Sequence, residues 1–274
     1  ILKKVIKALA YRSSYYRHVV YLVRLPKEKP KDVERELTVQ QLREEIARGE
    51  TLFAAIGGLR AQRGIKAWLF GRHDHYSFEI VASNKKIYFY LVAQRHAARY
   101  LEQQVQAHYP EAVMEEVRDY NIFLPSTEIV AGFLKTRRNP ILPLKTYNKM
   151  EVDSLNSIIN ALSKLDEGEA IALQYIVRSA KGRWHAKAAS VVSRVYQGKK
   201  LSEAIESGFF SRFVNLLGGA AKALPAGDKN KNSLDPYNAR RMTTAEEQII
   251  KGIEEKNSKS GLDVNLRIIV SASD

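Results

Sequence analysis

Two imidazoles and a carboxylate stand side by side at His73-Asp74-His75, the densest run of potential metal ligands in the chain and a donor set of the type that holds zinc. No further ligand set follows at a recognisable spacing, so the triplet reads as a solvated loop at the entrance to a hairpin. Phosphate chemistry would need Gly-x-x-x-x-Gly-Lys-Ser/Thr, in which backbone amides cradle the phosphates and the lysine reaches them. The stretch from Gly58 through Gly64 to Lys66 comes nearest, but its lysine is displaced and no hydroxyl residue follows, which leaves a basic loop. Neither a Gly-x-Ser-x-Gly elbow nor a His-Glu-x-x-His helix occurs. The chain has no cysteine, which removes thiolate nucleophiles, disulfides, iron–sulfur clusters and cysteine-ligated zinc. These residues are therefore expected to form no enzyme active site and to hold no cofactor or metal of their own.

Charge points elsewhere. With 44 Lys and Arg against 30 Asp and Glu the net charge is +14, the balance of a protein that meets nucleic acid or a membrane surface. The strongest local footprint is Arg178, Lys181, Arg183, Lys187, Arg194, Lys199 and Lys200, a stretch without an acid until Glu203 that also contains Trp184, His185 and Tyr196. On a helix, Ala188, Val192, Val195 and Tyr196 would face the protein, while Lys187 and Arg194, about two turns apart, point away toward phosphates. A solvated basic face is the competing reading. Arg137, Arg138, Lys145 and Lys149 form a second basic cluster with the same two readings. Tyr88 and Tyr90 fall on one face of a strand, as do the aromatics on which RNA-recognition modules stack bases. The run Lys86 to Tyr90 lacks the glycine and spacing of that motif, so packing against a second domain or subunit competes. Gly208 to Val214, with three phenylalanines, reads as core or a subunit contact.

The elements that must position these groups are legible from periodicity. Arg17 to Leu25 is β-branched and aromatic and reads as a buried strand. Leu42, Ile46, Leu52, Phe53 and Ile56 keep helical spacing up to Gly57-Gly58, with Gly49 as a point of interruption or kinking. Ile65 to Phe70 reads as a short strand. Tyr76 to Val92 alternates on both sides of Asn84-Lys85, a hairpin in which Ala82 pairs with Ile87, Ile80 with Phe89 and Phe78 with Leu91. Glu79, Val81, Tyr88 and Tyr90 then share the other face. Ala98, Leu101, Val105 and Tyr109 form a helix, and Val113 to Val117 a strand. The order strand, helix, strand, strand, helix, strand is that of a ferredoxin-like βαββαβ unit.

Ile129 to Leu134 starts the second half. Asp153 caps a helix carrying Leu155, Ile158, Ile159, Leu162 and Leu165, and Ala170 to Val177 is the next strand. Helices at 187–198 and 201–217 and a Gly-, Ala-, Lys- and Asn-rich loop at 218–238 stand in place of one strand. A capped helix from Thr243 or Thr244 and a strand from Val264 to Val270 close the half. The expected fold is α+β, two ferredoxin-like units in tandem: a basic segment 1–17, a first unit 18–122, and a second unit 123–274 with an insertion at 180–241.

Several strings resemble, as a set, the region preceding the motor in type IV secretion or conjugative DNA-transfer ATPases, the coupling-protein, HerA/FtsK-like family. They are Tyr76 to Val81, Ile87 to Tyr90, Leu101 to Val105, His108 to Ala112 and Asp119-Tyr120, then Leu144 to Tyr147, Glu169 to Tyr175, Ile253 to Lys256 and Asp263 to Ile268. The likeness covers residues 17–274 apart from the insertion. It implies a non-catalytic region between membrane helices and a hexameric motor that holds the nucleotide. Further implications are type IV secretion machinery and DNA as partners, a homo-oligomer, and a place on the cytoplasmic side of the bacterial inner membrane. Ile1 is not a methionine, and both ends read as cuts in a longer protein; Lys3, Lys4, Lys7, Arg12 and Arg17 have the pattern expected just after a membrane segment preceding Ile1, with the start of an ordinary basic amphipathic helix as the competing reading. The resemblance carries no catalytic residue onto this chain. Two other readings remain open: a free-standing nucleic-acid-binding protein that uses the basic helix and the tyrosine face, and a structural scaffold protein.

Overall fold

The computed structural model describes residues 5, 18–26, 39–123, 127–149, 154–206 and 242–272. The basic segment 1–17 apart from Val5, the cap at Asp153, the three-phenylalanine run and the loop at 218–238 lie outside the described residues. By internal contacts the chain divides into two compact units. One comprises residues 1–135, 145–180 and 260–274; the other comprises 136–144 and 181–259.

In the first unit the alternating hairpin forms as its sequence pattern requires. Strands β2 (Tyr76–Ser83) and β3 (Lys86–Gln94) pair antiparallel with Phe78 opposite Leu91, Ile80 opposite Phe89 and Ala82 opposite Ile87. Asn84 and Lys85 both take positive φ, 51° and 59°, the geometry of a type I′ turn whose twist matches the strands it joins. β1 (His18–Arg24) adds to the outer side of β3, and β4 (Val113–Val117) to the outer side of β1. From the second half, β5 (Glu128–Leu134), β6 (Ala170–Ser179) and β7 (Leu262–Ala272) join the same sheet. A single seven-stranded antiparallel sheet results, in the order β4-β1-β3-β2-β6-β7-β5. The fold is α+β, and the strands of both halves share one sheet through the β2–β6 pair, in which Phe78 faces Tyr175 and Ile80 faces Leu173.

One face of that sheet is covered by helices. α1 (Val39–Gly58) buries Leu52 and Ile56, and α3 (Arg95–His108) buries Ala98, Leu101 and Val105 against Val19, Tyr21, Leu91 and Ala93. α1 runs through Gly49 without a break; a Cβ there would sit 3.3 Å from the Tyr109 hydroxyl, a tight contact that the ring would have to ease. Ile46, expected on the buried stripe, stays exposed. α4 (Ser154–Leu162) extends the covered area over β2 and β6 through Ile158 and Leu162, packed on Ile80, Ala82 and Leu173. A 3₁₀ turn, Tyr147–Lys149, holds Tyr147 Oη as donor to Glu50 Oε2 at 3.0 Å.

Ile65 to Phe70, read as a strand, instead lies mostly in helix α2 (Gly64–Leu69). None of its residues is buried, so no sheet neighbour rewards an extended form, and the local bond from Phe70 N–H to the Lys66 carbonyl at 2.9 Å closes a helical turn.

In the second unit, α5 (Arg183–Tyr196), a helical stretch at 201–206 and α6 (Thr244–Ser258) enclose Ala188, Val191, Val195, Ala204, Ile250 and Ile253, together with Ile141. α6 starts on a capping box: Thr243 Oγ1 accepts from Glu246 N–H at 3.2 Å, and the Glu246 carboxylate accepts from Thr243 N–H at 3.1 Å. Lys256 ties this helix to the 136–144 segment by donating to the carbonyls of Pro140 and Leu142. Burial lowers its ammonium pKa.

Candidate nucleic-acid interface

The basic helix begins one turn earlier than its sequence pattern indicates. Trp184, Ala188, Val191 and Val195 follow each other at four, three and four residues and make the stripe that packs into the second unit. Tyr196, expected to face inward, is exposed and donates to Glu254 Oε1 at 3.2 Å. Beside the buried stripe run Arg183 and Lys187, one turn apart and both exposed. Lys181 precedes the helix and is exposed as well. At the other end Gly198, at φ 88°, makes the left-handed step that ends the helix. The Gly198 N–H donates to the Val195 carbonyl at 2.9 Å and the Lys199 N–H to the Arg194 carbonyl at 3.1 Å, the double bond of a Schellman turn. Lys199 and Lys200 leave that turn exposed.

Arg194 differs from its neighbours. Its side chain is half-buried and Nη1 donates to the Ala204 carbonyl at 3.3 Å, so it anchors the 201–206 turn instead of standing free for a phosphate. Arg178 belongs to the other unit: it lies on β6, with Nε donating to Asp263 Oδ2 at 3.2 Å. The seven cations are thus five exposed side chains around α5, one structural arginine, and one ion-paired strand residue. In the second basic cluster Arg137, Arg138, Lys145 and Lys149 are all exposed.

Tyr88 and Tyr90 share the sheet face opposite the helices with Glu79 and Val81, as the register requires. Tyr90 is stacked on Tyr120, ring centroids 4.7 Å apart, which occupies the aromatic face a base would use. Tyr88 stands 6.1 Å from Tyr90, half-buried. Beneath the stack Tyr120 Oη donates to the buried Glu79 carboxylate and accepts from Gln174 Nε2 at 3.2 Å. Burial, then the Glu79 charge, pushes the Tyr120 phenol far above its ordinary pKa, so it stays a donor. Nothing in the sequence links Glu79, Tyr120 and Gln174: the register of β2 against β6 sets Glu79 opposite Gln174, and Tyr120 reaches both from the segment after β4.

The 71–75 loop is not solvated. Arg72 is buried and forks onto Asp74, with Nε to Oδ1 at 2.9 Å and Nη2 to Oδ2 at 2.7 Å. It also donates through Nη1 to Asp263 Oδ2 at 3.3 Å and through Nη2 to the Ser179 carbonyl at 2.5 Å. Asp74, one of the suspected metal ligands, is consumed by this clamp, and it also accepts from Gln62 N–H at 2.9 Å. His75 is pushed down to about 4, first by burial and then by His18, His73 and Arg178 around it. Among the described residues no three His, Asp or Glu side chains are grouped to hold a metal ion.

A family model described as a domain of unknown function, DUF8128, matches residues 29–274. The chain belongs to that family. No curated protein and no solved structure matches it. The DUF8128 match takes in the whole of the second compact unit and every element of the first from α1 to β7, while β1 precedes it.

Proposed function

We propose that this DUF8128 chain is the non-catalytic region preceding the motor of a membrane-associated type IV secretion or conjugative DNA-transfer ATPase, on the cytoplasmic side of the bacterial inner membrane. Its work is assembly, with DNA contact through the cations around α5. The family part of the reading takes its support from the strings in β2, β3, α3, β6 and β7 quoted above; the assembly part rests on β5.

That strand carries the proposal. All seven residues of β5 are exposed, and four of them, Ile129, Val130, Phe133 and Leu134, are large and apolar. One side pairs with β7, and among the described residues no strand pairs with the other, so β5 ends the sheet. Monomeric proteins blunt such an edge with charges, prolines or a covering element. Among the described residues no element covers this edge, and only Lys135, 5.0 Å over the Phe133 ring, brings a charge to its apolar side chains, so β5 can serve as a template for another strand, which is how a subunit joins a ring or a sheet continues across chains.

Within this proposal the sheet is two ferredoxin-like units joined edge to edge. The order β4-β1-β3-β2 is that of a βαββαβ unit, and β5-β7-β6 repeats the places of its first, third and second strands. β5 then corresponds to β1, and its open side to the side of β1 on which β4 pairs. The inserted unit occupies the connection that is the tight Asn84-Lys85 turn in the first unit.

The complete reading frame is the first test. A membrane helix ahead of Ile1 and a phosphate-binding loop beyond Asp274 are expected; a start codon at Ile1 with a stop after Asp274 overturns the reading. The five exposed cations around α5 also favour the second reading, a free-standing nucleic-acid-binding protein, which that last outcome would leave standing if the chain binds DNA with a strong salt dependence.

A further inference from the structure

Residues 60–70 present a surface that neither the sheet core nor the assembly edge uses. Helix α2 buries none of its residues, and Ile65 is 82%, Trp68 63% and Phe70 40% exposed. Three large apolar side chains thus stand exposed within six positions, on and just after a helix that buries none of its residues. Between them stand cations: Arg60, Arg63 and Lys66 are exposed, and no carboxylate occurs between Glu50 and Asp74. Asp74 itself is neutralised by Arg72.

The surface is held in place from below. Gln62 N–H donates to Asp74 Oδ2, Gln62 Oε1 accepts from His73 N–H at 2.9 Å, and Ala61 is buried, so the exposed side chains project from a fixed base. The start of β1 adjoins the same base, the His18 ring lying 5.7 Å from that of His75.

We propose that α2 and its flanks dock on an anionic lipid bilayer, with Ile65, Trp68 and Phe70 entering the headgroup region and Arg60, Arg63 and Lys66 meeting lipid phosphates. An indole among aliphatic and aromatic side chains, interspersed along the chain with exposed cations and no acid, is the composition of an interfacial anchor. An acidic protein groove would match the cations but leave an 82%-exposed isoleucine and its neighbours needing an apolar floor; a bilayer supplies both chemistries at once. The inference rests on this surface alone and does not depend on the proposed role in DNA transfer.

Trp68 is its own reporter. The chain has two tryptophans, and the indole N–H of Trp184 is buried without an acceptor among the described residues, so Trp184→Phe is a mild change that isolates Trp68. The whole chain carrying that change is titrated with phosphatidylcholine vesicles with and without phosphatidylglycerol. Trp68 emission should shift to the blue only with the anionic vesicles and be quenched by lipids brominated in their acyl chains. Replacing Arg60, Arg63 and Lys66 by glutamine should weaken partitioning about 100-fold, close to fivefold for each cation. In the otherwise native chain, Ile65→Ser with Trp68→Ser, both at exposed positions, should reduce vesicle flotation about tenfold or more. Vesicle binding with Trp68 emission unchanged would place the contact in residues 1–17 and overturn the proposal. A Trp68 shift with duplex DNA and none with vesicles, or no change of emission with either, would overturn it as well.

Discussion

Removing Arg72 tests how the sheet unit is held at the end from which the inserted unit departs. Its side chain is 5% exposed and satisfies three groups at once: Asp74, Asp263 and the Ser179 carbonyl. In Arg72→Ala the Asp74 carboxylate, 19% exposed, keeps backbone donors, chiefly the Gln62 amide, but loses its counter-charge. Asp263 falls back on Arg178, and the Ser179 carbonyl loses its charged donor. Leaving a buried ion without its partner costs about 3–5 kcal/mol. Asp263 is half exposed and Asp74 retains backbone donors, which places the cost near the low end, about 3 kcal/mol. For a unit of this size that lowers Tm by roughly 6–12 °C. Thermal and urea unfolding followed by circular dichroism at neutral pH reads the loss directly. Arg72→Lys, which keeps the charge but not the fork, should recover less than half of it. The pH dependence supplies a second check. Burial pushes the Asp74 carboxyl up, but the hydrogen bond and charge of Arg72 and the Gln62 amide outweigh it and hold the pKa below the ordinary carboxylate range. Stability from the pair is therefore present above the unfolded pKa of about 4 and lost as pH falls through the lower folded value. The gap between wild type and Arg72→Ala should close in that window. A cost below about 1 kcal/mol, within the range of a surface pair, or a gap unmoved by acid, would refute the clamp.

Glutamine at Lys181, Arg183, Lys187, Lys199 and Lys200 should lower the slope of log affinity for DNA against log salt by about one for each phosphate no longer neutralised, whereas Arg194→Gln should leave the slope unchanged and cost the second unit about 1 kcal/mol in urea melts. His75, held neutral with a pKa of about 4, resists the proton that the unfolded chain accepts near 6.5, so about 3 kcal/mol of stability should drain away between those values. His75→Phe should flatten the acid limb of the unfolding curve. Phe133→Lys on β5, the last described strand of the sheet, should abolish self-association in sedimentation velocity while changing stability by less than about 0.5 kcal/mol. Leu101→Ala, at a fully buried position on α3, should cost about 2–5 kcal/mol by denaturant titration.

What the sequence made legible was local. The β2–β3 hairpin was readable down to its pairs because period-two alternation and a two-residue turn determine register within a few residues, and Leu101 and Val105 announced their face by helical spacing. α2 misled for the same reason: Ile65 to Phe70 is apolar without being buried, and composition alone treats it as a strand. The single sheet was out of reach, since the pairing of Tyr76 to Ser83 with Ala170 to Val177 spans a large part of the chain and leaves no mark in either segment. The candidate interface divided likewise. Its charge was visible in the count of Lys and Arg, but the engagement of Arg194 with Ala204 and of Tyr90 with Tyr120 depends on neighbours that only folding supplies. Arg72 was passed over because two of its three partners, Ser179 and Asp263, lie far along the chain.

The second unit draws its core from two separate pieces of chain, with Ile141 and Leu142 packed among side chains of α5 and α6. Ala180 and Gly261 already face each other as the ends of a hairpin, N–H to carbonyl at 2.8 Å, so a short turn could join them in place of everything between. That surgery would not yield a clean sheet protein: it would leave Ile141 and Leu142 as greasy stubs a few residues along the chain from the exposed β5 strand, inviting aggregation. The inserted unit is less a cassette than a graft with two roots, and any truncated version of this chain has to trim both.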